Sequence, residues 1–257
     1  MFIASFRLKT WIQKWLFTLQ DFWDFPRFHP AREMKRCALQ ESVQYAQNHM
    51  RGAIGMESSR EVLAFALQQV TVPGHYLEFG VYQGGTVGFI AKQVGPSQTV
   101  HGFDSFRGLQ EAWSGDRSNF DQHGRLPKVP HNVALHPGFF ADTLPGWLAE
   151  NPGLAAFIHI DSDLYESARC VFEHLHQRIV PRTIIVFDEY FNYPNWQAHE
   201  FRAFAELVEC CQIQYEYLAY ARFQVAVKIN AISHGRPFRS VRRNLDEVEN
   251  FYPALDR

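Results

Sequence analysis

Cysteine is scarce in this chain, four in 257 residues, and Cys37, Cys170, Cys210 and Cys211 show neither C-x-x-C spacing nor a zinc-finger arrangement with histidine. That leaves no disulfide framework to read, so buried reduced thiols in a cytoplasmic protein are expected. Charge of one sign is also missing: 25 basic against 27 acidic side chains give a formal net charge of -2. Nucleic acid finds no basic face here, and a small-molecule partner is expected. No apolar run reaches the roughly 18 residues of a membrane span. The first 25 residues are rich in Phe, Trp and Leu but carry Arg7, Lys9, Lys14, Asp21 and Asp24, and no small-residue cleavage site follows them. Neither a transmembrane helix nor a signal peptide is expected. The G-x-G-x-x-G of nicotinamide enzymes, the G-K-[ST] of a P-loop and the G-x-S-x-G of a hydrolase elbow are all absent.

What the chain has is apolar mass, 46% hydrophobic and 15% aromatic, enough for one α/β domain with a substantial core. Ile12, Trp15, Leu16 and Leu19 recur at helical spacing, which predicts an amphipathic helix packed on its own domain or on a second copy; membrane-surface contact is the lesser reading. A further helix is expected from Ser58, as its cap, to Gln69. After Pro73-Gly74, strand-like runs at 75–79, 99–103, 132–136, 156–160 and 183–187 alternate with helical patterns at 86–94, 142–150, 167–179 and 199–211. Two last strands, 215–220 and 223–229, flank Ala221-Arg222 as a hairpin. The alternation predicts a doubly wound, mostly parallel seven-stranded sheet with a C-terminal antiparallel hairpin. Residues 1–70 are then an N-terminal helical extension expected to make a homo-oligomer or support a lid, 71–230 the main domain and 231–257 a polar tail. The polar stretch from Gln110 to Pro130 is too long for an ordinary connection and is a candidate lid.

Two of the strands end in acids. Ala156 to Ile160 runs into Asp161 and Asp163, and Thr183 to Phe187 runs into Asp188-Glu189. In open α/β sheets ligands bind beyond the carboxyl ends of the strands, so these four carboxylates are expected to converge on one crevice. Unpaired carboxylates repel one another, and a divalent cation is the leading counter-charge. The first strand ends in Glu78-Phe79-Gly80-Val81-Tyr82-Gln83-Gly84-Gly85-Thr86. Glycines at such a strand-to-helix turn let backbone approach a ligand at a helix N-terminus, which implies a nucleotide-like cofactor. Asp104, ending the next strand, is placed to take ribose hydroxyls or to cap a helix. Asp142 is expected as the N-cap of the helix after the third strand, and Asp163 caps the helix after the fourth or acts as a base. His159 is read as a structural histidine pointing into a packed face. His123 or His131 in the lid is a candidate substrate contact, and Tyr190 to Trp196 is either an aromatic wall for a ring-shaped acceptor or packing against the last helix.

The segments 77–86, Gly102-Phe103-Asp104-Ser105-Phe106, Gly138-Phe139 with Asp142-Thr143-Leu144-Pro145, 159–167 and Phe187-Asp188-Glu189-Tyr190, taken in this order, resemble the macrocin O-methyltransferase family. The resemblance implies a class I S-adenosylmethionine-dependent fold over 71–230 and Mg²⁺-assisted methylation of a hydroxyl on a sugar of a natural product. It implies that Glu78, Gly80, Tyr82, Gly84 and Thr86 surround the methionine part of the cofactor and that Asp104 binds its ribose, with Ser105 and Asp142 completing the cofactor set. It implies that Asp161, Asp188 and Glu189 ligate the metal and that Asp163 is the catalytic base. Glu189 departs from the family's usual Asp-Asp by one methylene. Two alternatives remain open on the residues alone: a metal-independent methyltransferase, and a non-catalytic protein binding a nucleotide-like ligand.

Overall fold

A computed structural model describes residues 29–109, 120–233 and 238 of the protein. The amphipathic segment at 12–19 and nearly all of the 231–257 tail lie outside the described residues. Along the chain run α1 (Pro30–His49), β1 (Ile54–Gly55), α2 (Ser59–Gln68), β2 (His75–Phe79), α3 (Gly85–Val94), β3 (Val100–Asp104), β4 (Val133–Pro137), α4 (Phe140–Glu150), β5 (Ala155–Ile160), α5 (Tyr165–Leu175), β6 (Ile184–Phe187), α6 (Glu200–Cys210), β7 (Gln214–Tyr220) and β8 (Val225–Ala231). They form one sheet in the order β1-β7-β8-β6-β5-β2-β3-β4. Among the described strands β8 alone runs antiparallel to its neighbours, pairing with β6 and β7. The sheet thus has eight strands where seven are expected. The extra one, β1, is two residues long and pairs with β7, too short to leave a periodic signal.

Side-chain alternation sorts the core onto two faces. Leu77, Phe79, Ile158, Ile160, Ile185 and Phe187 pack in one cluster with α4, α5 and α6. Phe157, Ile184 and Val186 pack in the other with Val62, Leu63 and Ala66 of α2 and Val87, Ile90 and Ala91 of α3. β1 and α2 therefore belong to the same packed body as the main sheet, N-terminal of residue 71. A capping box starts α2: Ser58 Oγ accepts the Glu61 N–H, and the Glu61 carboxylate accepts the Ser58 N–H. α1 docks through Tyr45, whose hydroxyl lies 2.6 Å from that of Tyr217, and through Ser42, which accepts the Asn192 N–H. Met34, Leu39 and Val43 of α1 stay exposed. No helix among the described residues is long and apolar enough to cross a membrane.

The expected buried thiols are found only in part. None of the four cysteines is in a disulfide; Cys211 is buried, Cys170 and Cys210 half-buried and Cys37 exposed.

At the β2–β3–β4 side a histidine cluster has a thermodynamic consequence. Trp147 Nε1 donates to His101 Nδ1 at 3.3 Å, and His136 Nε2 lies 3.1 Å from the same nitrogen, so His101 accepts there as a neutral ring. Burial lowers the pKa of both imidazoles; for His101 the charges of His136 and His75 add to this and bring it to about 4. The unfolded chain protonates His101 near pH 6.5, the folded chain only near 4, so the unfolded state binds more protons between them. The cluster's stabilisation is complete above the unfolded value and is lost as pH falls toward the folded one. Urea titrations across this window should show that fall, and His101→Asn should flatten it; an unchanged slope in the variant would rule the cluster out as its source.

Candidate active site

The strand order reverses between β2 and β5, with β3 and β4 to one side and β6 to the other, and a crevice opens at such a switch point. The register aligns Glu78 with His159 and His159 with Val186, placing Glu78, His159, Asp161 and Asp188 on the same face of adjacent strands by alternation. Contact at the switch point is backbone to backbone. Asp161 N–H donates to Phe79 O at 2.8 Å, and Gly80, at φ +98°, approaches Asp161 so closely that an added Cβ would stand 1.7 Å from its carbonyl oxygen. The glycine turn and the first acidic turn are therefore one packed unit.

One oxygen atom from each of Asp161, Asp188 and Glu189 lies within 4.8 Å of the others, a spacing open to a metal ion. Asp163, buried and at φ 60°, follows within the same turn. It does not cap α5: Leu164 is the N-cap residue, without a side-chain bond. The group is electrostatically strained in the way a cation relieves. Burial, then the charge of Asp188, holds the Asp161 carboxyl well above its usual range, and burial with the neighbouring carboxylates does the same to Glu189. Burial and the charges of Asp188 and Asp104 push Asp163 to about 7. Asp188 differs: burial would raise it, but His159 and Gln224 outweigh burial and hold it below the usual carboxylate range.

His159 is more than the packing residue expected from its strand. Wholly buried, it places Nδ1 3.1 Å from Glu78 Oε1 and Nε2 3.8 Å from Asp188 Oδ1, between an acid of the glycine turn and an acid of the second strand end. Burial disfavours its protonation, yet these carboxylates outweigh burial and raise it to about 10. Two further residues escaped the sequence reading. Gln224, in the turn between β7 and β8, donates to Asp188 Oδ1 at 2.6 Å. Glu200, the first residue of α6 and wholly buried, accepts the Ser162 N–H on Oε1 at 3.1 Å and the Glu189 N–H on Oε2 at 3.3 Å. An acid in the first helical turn reads as an ordinary dipole complement, and nothing local in the sequence marks Gln224.

The cofactor candidates fall into two groups. Glu78 is wholly buried with Oε2 unpartnered, Gly84 is the left-handed N-cap of α3, Thr86 lies in its first turn, and Tyr82 is 40% exposed at φ 49°. Asp104 holds the turn itself: Oδ2 accepts the Val81 and Tyr82 N–H groups at 2.8 Å each and Oδ1 accepts the Phe106 N–H at 2.7 Å. A carboxylate has about four acceptor sites, so little remains free for a ribose in this arrangement. Ser105 is engaged in its own turn with Gly108 and Arg107. Asp142 is not the N-cap expected of it: Phe139 holds that position, because α4 begins two residues early, and Asp142 lies exposed in the first turn.

The lid is described from Phe120 onward. Pro127 and Val129 stand over Gly84, Pro130 over Gly88, and the Phe120 ring meets Tyr82 edge-on at 5.4 Å, so this end of the segment covers the glycine turn. His123 instead pairs with Asp121 in the same loop. Of the two readings of Tyr190 to Trp196, packing is the one observed: Tyr190, Phe191, Tyr193 and Trp196 are all buried, with ring contacts to α1, α6 and β7. Depth of burial depends on how α1 and α6 fold over the segment, which its own sequence does not encode.

Several oxygen atoms in this region are buried without a hydrogen-bond partner in the protein: Glu78 Oε2, Glu189 Oε2, Ser162 Oγ and Gln224 Oε1. Buried acceptors without donors are costly, and their concentration here fits a region completed by a cation and a ligand that donates hydrogen bonds.

The fold is that of solved methyltransferases. The chain overlays on the calicheamicin methyltransferase CalS11 with a TM-score of 0.52 at 23% identity, covering 66% of this chain and 77% of that one. It overlays on the O-methyltransferase NovP with a TM-score of 0.51 at 24% identity, covering 66% and 79%. More specifically, the chain belongs to the macrocin O-methyltransferase (TylF) family, whose model matches residues 27–213. It is also 30% identical over 146 residues to the 8-demethyl-8-(2,3-dimethoxy-alpha-L-rhamnosyl)-tetracenomycin-C 4'-O-methyltransferase of Streptomyces olivaceus, covering 46% of this chain and 54% of that protein. The chain thus spans about half the length of this curated relative.

Proposed function

We propose that this protein is an S-adenosylmethionine-dependent O-methyltransferase that uses a divalent cation to methylate a sugar hydroxyl of a glycosylated natural product. The observation that carries the reading is the convergence of Asp161, Asp188 and Glu189 directly against the glycine turn, with Asp163 in the same acidic loop. Family membership supports the reaction class, and the rhamnosyl acceptor in the relative's name supports a deoxysugar as the substrate.

When bound, S-adenosylmethionine supplies a methyl group activated on a sulfonium, and the cation supplies a Lewis acid that lowers the pKa of the acceptor hydroxyl. Asp161, Asp188 and Glu189 are the oxygen ligands that hold a Mg²⁺-like ion. Glu78, Gly80, Tyr82, Gly84 and Thr86 hold the methionine part of the cofactor, the glycines by admitting it close to backbone. Asp104 contributes by fixing the Val81-Tyr82 turn. Asp163 takes the proton that leaves the acceptor oxygen. Because the methyl group is already activated, most of what the chain contributes is alignment, and rigid strand ends are suited to that.

Transfer of labelled methyl from S-adenosylmethionine to a rhamnosylated natural product tests the reading. Turnover should require a divalent cation, fall to background after exhaustive EDTA treatment and return with added Mg²⁺. Activity that survives EDTA would remove the metal from the account.

A further inference from the structure

β5 and β6 are bonded in register as far as Ile160–Phe187, and one further backbone bond, from Asp188 N–H to Ile160 O, closes the ladder. Beyond that point the strands part, and each turns into one of the acidic loops. Asp161 N–H is taken by Phe79 and Tyr190 N–H by Phe223, which leaves the N–H groups of Ser162 and Glu189 facing the gap. Both are satisfied by a single side chain, Glu200, one carboxylate oxygen to each. Ser162 sits between Asp161 and Asp163, and Glu189 follows Asp188, so this carboxylate ties together the two loops that carry every proposed metal ligand and the proposed base. Glu200 is held in turn by α6, whose Ala203, Phe204 and Leu207 are buried in the core, so the tie is anchored to a rigid element.

We propose that Glu200 is a positioning residue that fixes the spacing between the Asp161–Asp163 loop and the Asp188-Glu189 loop, and thereby sets the affinity of the site for its divalent cation. The inference rests on the metal reading above. The Glu200 carboxylate accepts backbone N–H groups of both loops, so its effect is exerted through the loops it joins. Three substitutions separate span from charge. Glu200→Gln keeps the length but offers one acceptor in place of two. Glu200→Asp keeps the charge and both oxygens but is one methylene too short to reach both loops. Glu200→Ala removes the tie.

The test is Mg²⁺ titration of the full-length protein by calorimetry, with S-adenosylmethionine affinity and thermal midpoint measured on the same samples. Loss of a group that orients metal ligands costs about 10- to 100-fold in metal affinity. Glu200→Ala and Glu200→Asp should show a loss in that range, Glu200→Gln a smaller one, and methyl transfer by Glu200→Gln should recover as Mg²⁺ is raised to saturation. Cofactor affinity should change less than metal affinity, because the Glu200 hydrogen bonds go to the loops after β5 and β6 rather than to β2 and its turn. If the wild-type protein binds Mg²⁺ and all three variants bind it equally well, the positioning role is refuted while the metal reading stands. If Glu200→Asp matches wild type while Glu200→Gln does not, charge rather than span is responsible, and the inference is again refuted. If the wild type binds no Mg²⁺, the metal reading itself fails.

Discussion

Replacing Asp163 with Asn is expected to lower kcat by about 10²- to 10⁴-fold, the usual contribution of a general base, with little change in S-adenosylmethionine affinity. Asn removes the basic oxygen and keeps the shape. The backbone favours this test: Asp163 sits at φ 60°, a conformation that Asn adopts as readily as Asp, so the turn is retained. The α5 N-terminus is retained too, since Asp163 makes no cap there. Single-turnover methyl transfer combined with cofactor calorimetry reads both quantities. A variant whose kcat stays within about threefold of wild type lies far below a general base's usual effect and would move the base elsewhere.

Replacing Gly80 with Ala is expected to destabilise the protein by on the order of 4 kcal/mol or more, among the largest effects of any single methyl. The new Cβ would stand 1.7 Å from Asp161 O and 2.7 Å from Asp161 C, both backbone atoms, at a φ of +98° that alanine rarely adopts. Relief requires β2 and β5 to separate at their ends, which would displace Asp161 with its loop. Gly85→Ala is the matched control. Nothing lies within 4 Å of its Cβ, its φ is not positive and it opens α3, so stability should hold or rise slightly. Urea unfolding of the pair measures the difference; equal midpoints would refute the close packing of the two turns.

Strand positions were legible because buried parallel strands are short, continuous apolar runs, and His75–Phe79 reads from the sequence to the residue. The acid positions were legible for a related reason, since a carboxylate right after such a run stands at a strand's carboxyl end. What the residues could not show is what lies across from each acid. That His159 faces Glu78 depends on the β2–β5 register, and that Glu200 reaches both loops depends on where α6 starts relative to Ser162 and Glu189, 38 and 11 positions away in sequence. That the Asp104 carboxylate, at the end of β3, also takes the Val81 and Tyr82 N–H groups depends on how the glycine turn folds back beside it. Local pattern carries element type; partners across the sheet are set by register and packing.

The central claim is that Asp161, Asp188 and Glu189 form one cation site beside the methyl donor. Anomalous diffraction from crystals of the full chain grown with S-adenosylhomocysteine and Mn²⁺ tests it most directly. The account predicts one manganese peak bonded to all three carboxylates, with the homocysteine sulfur at the Gly80–Thr86 turn. A peak that omits Glu189 would reduce the ligand set, and the absence of any peak among these carboxylates would contradict the claim.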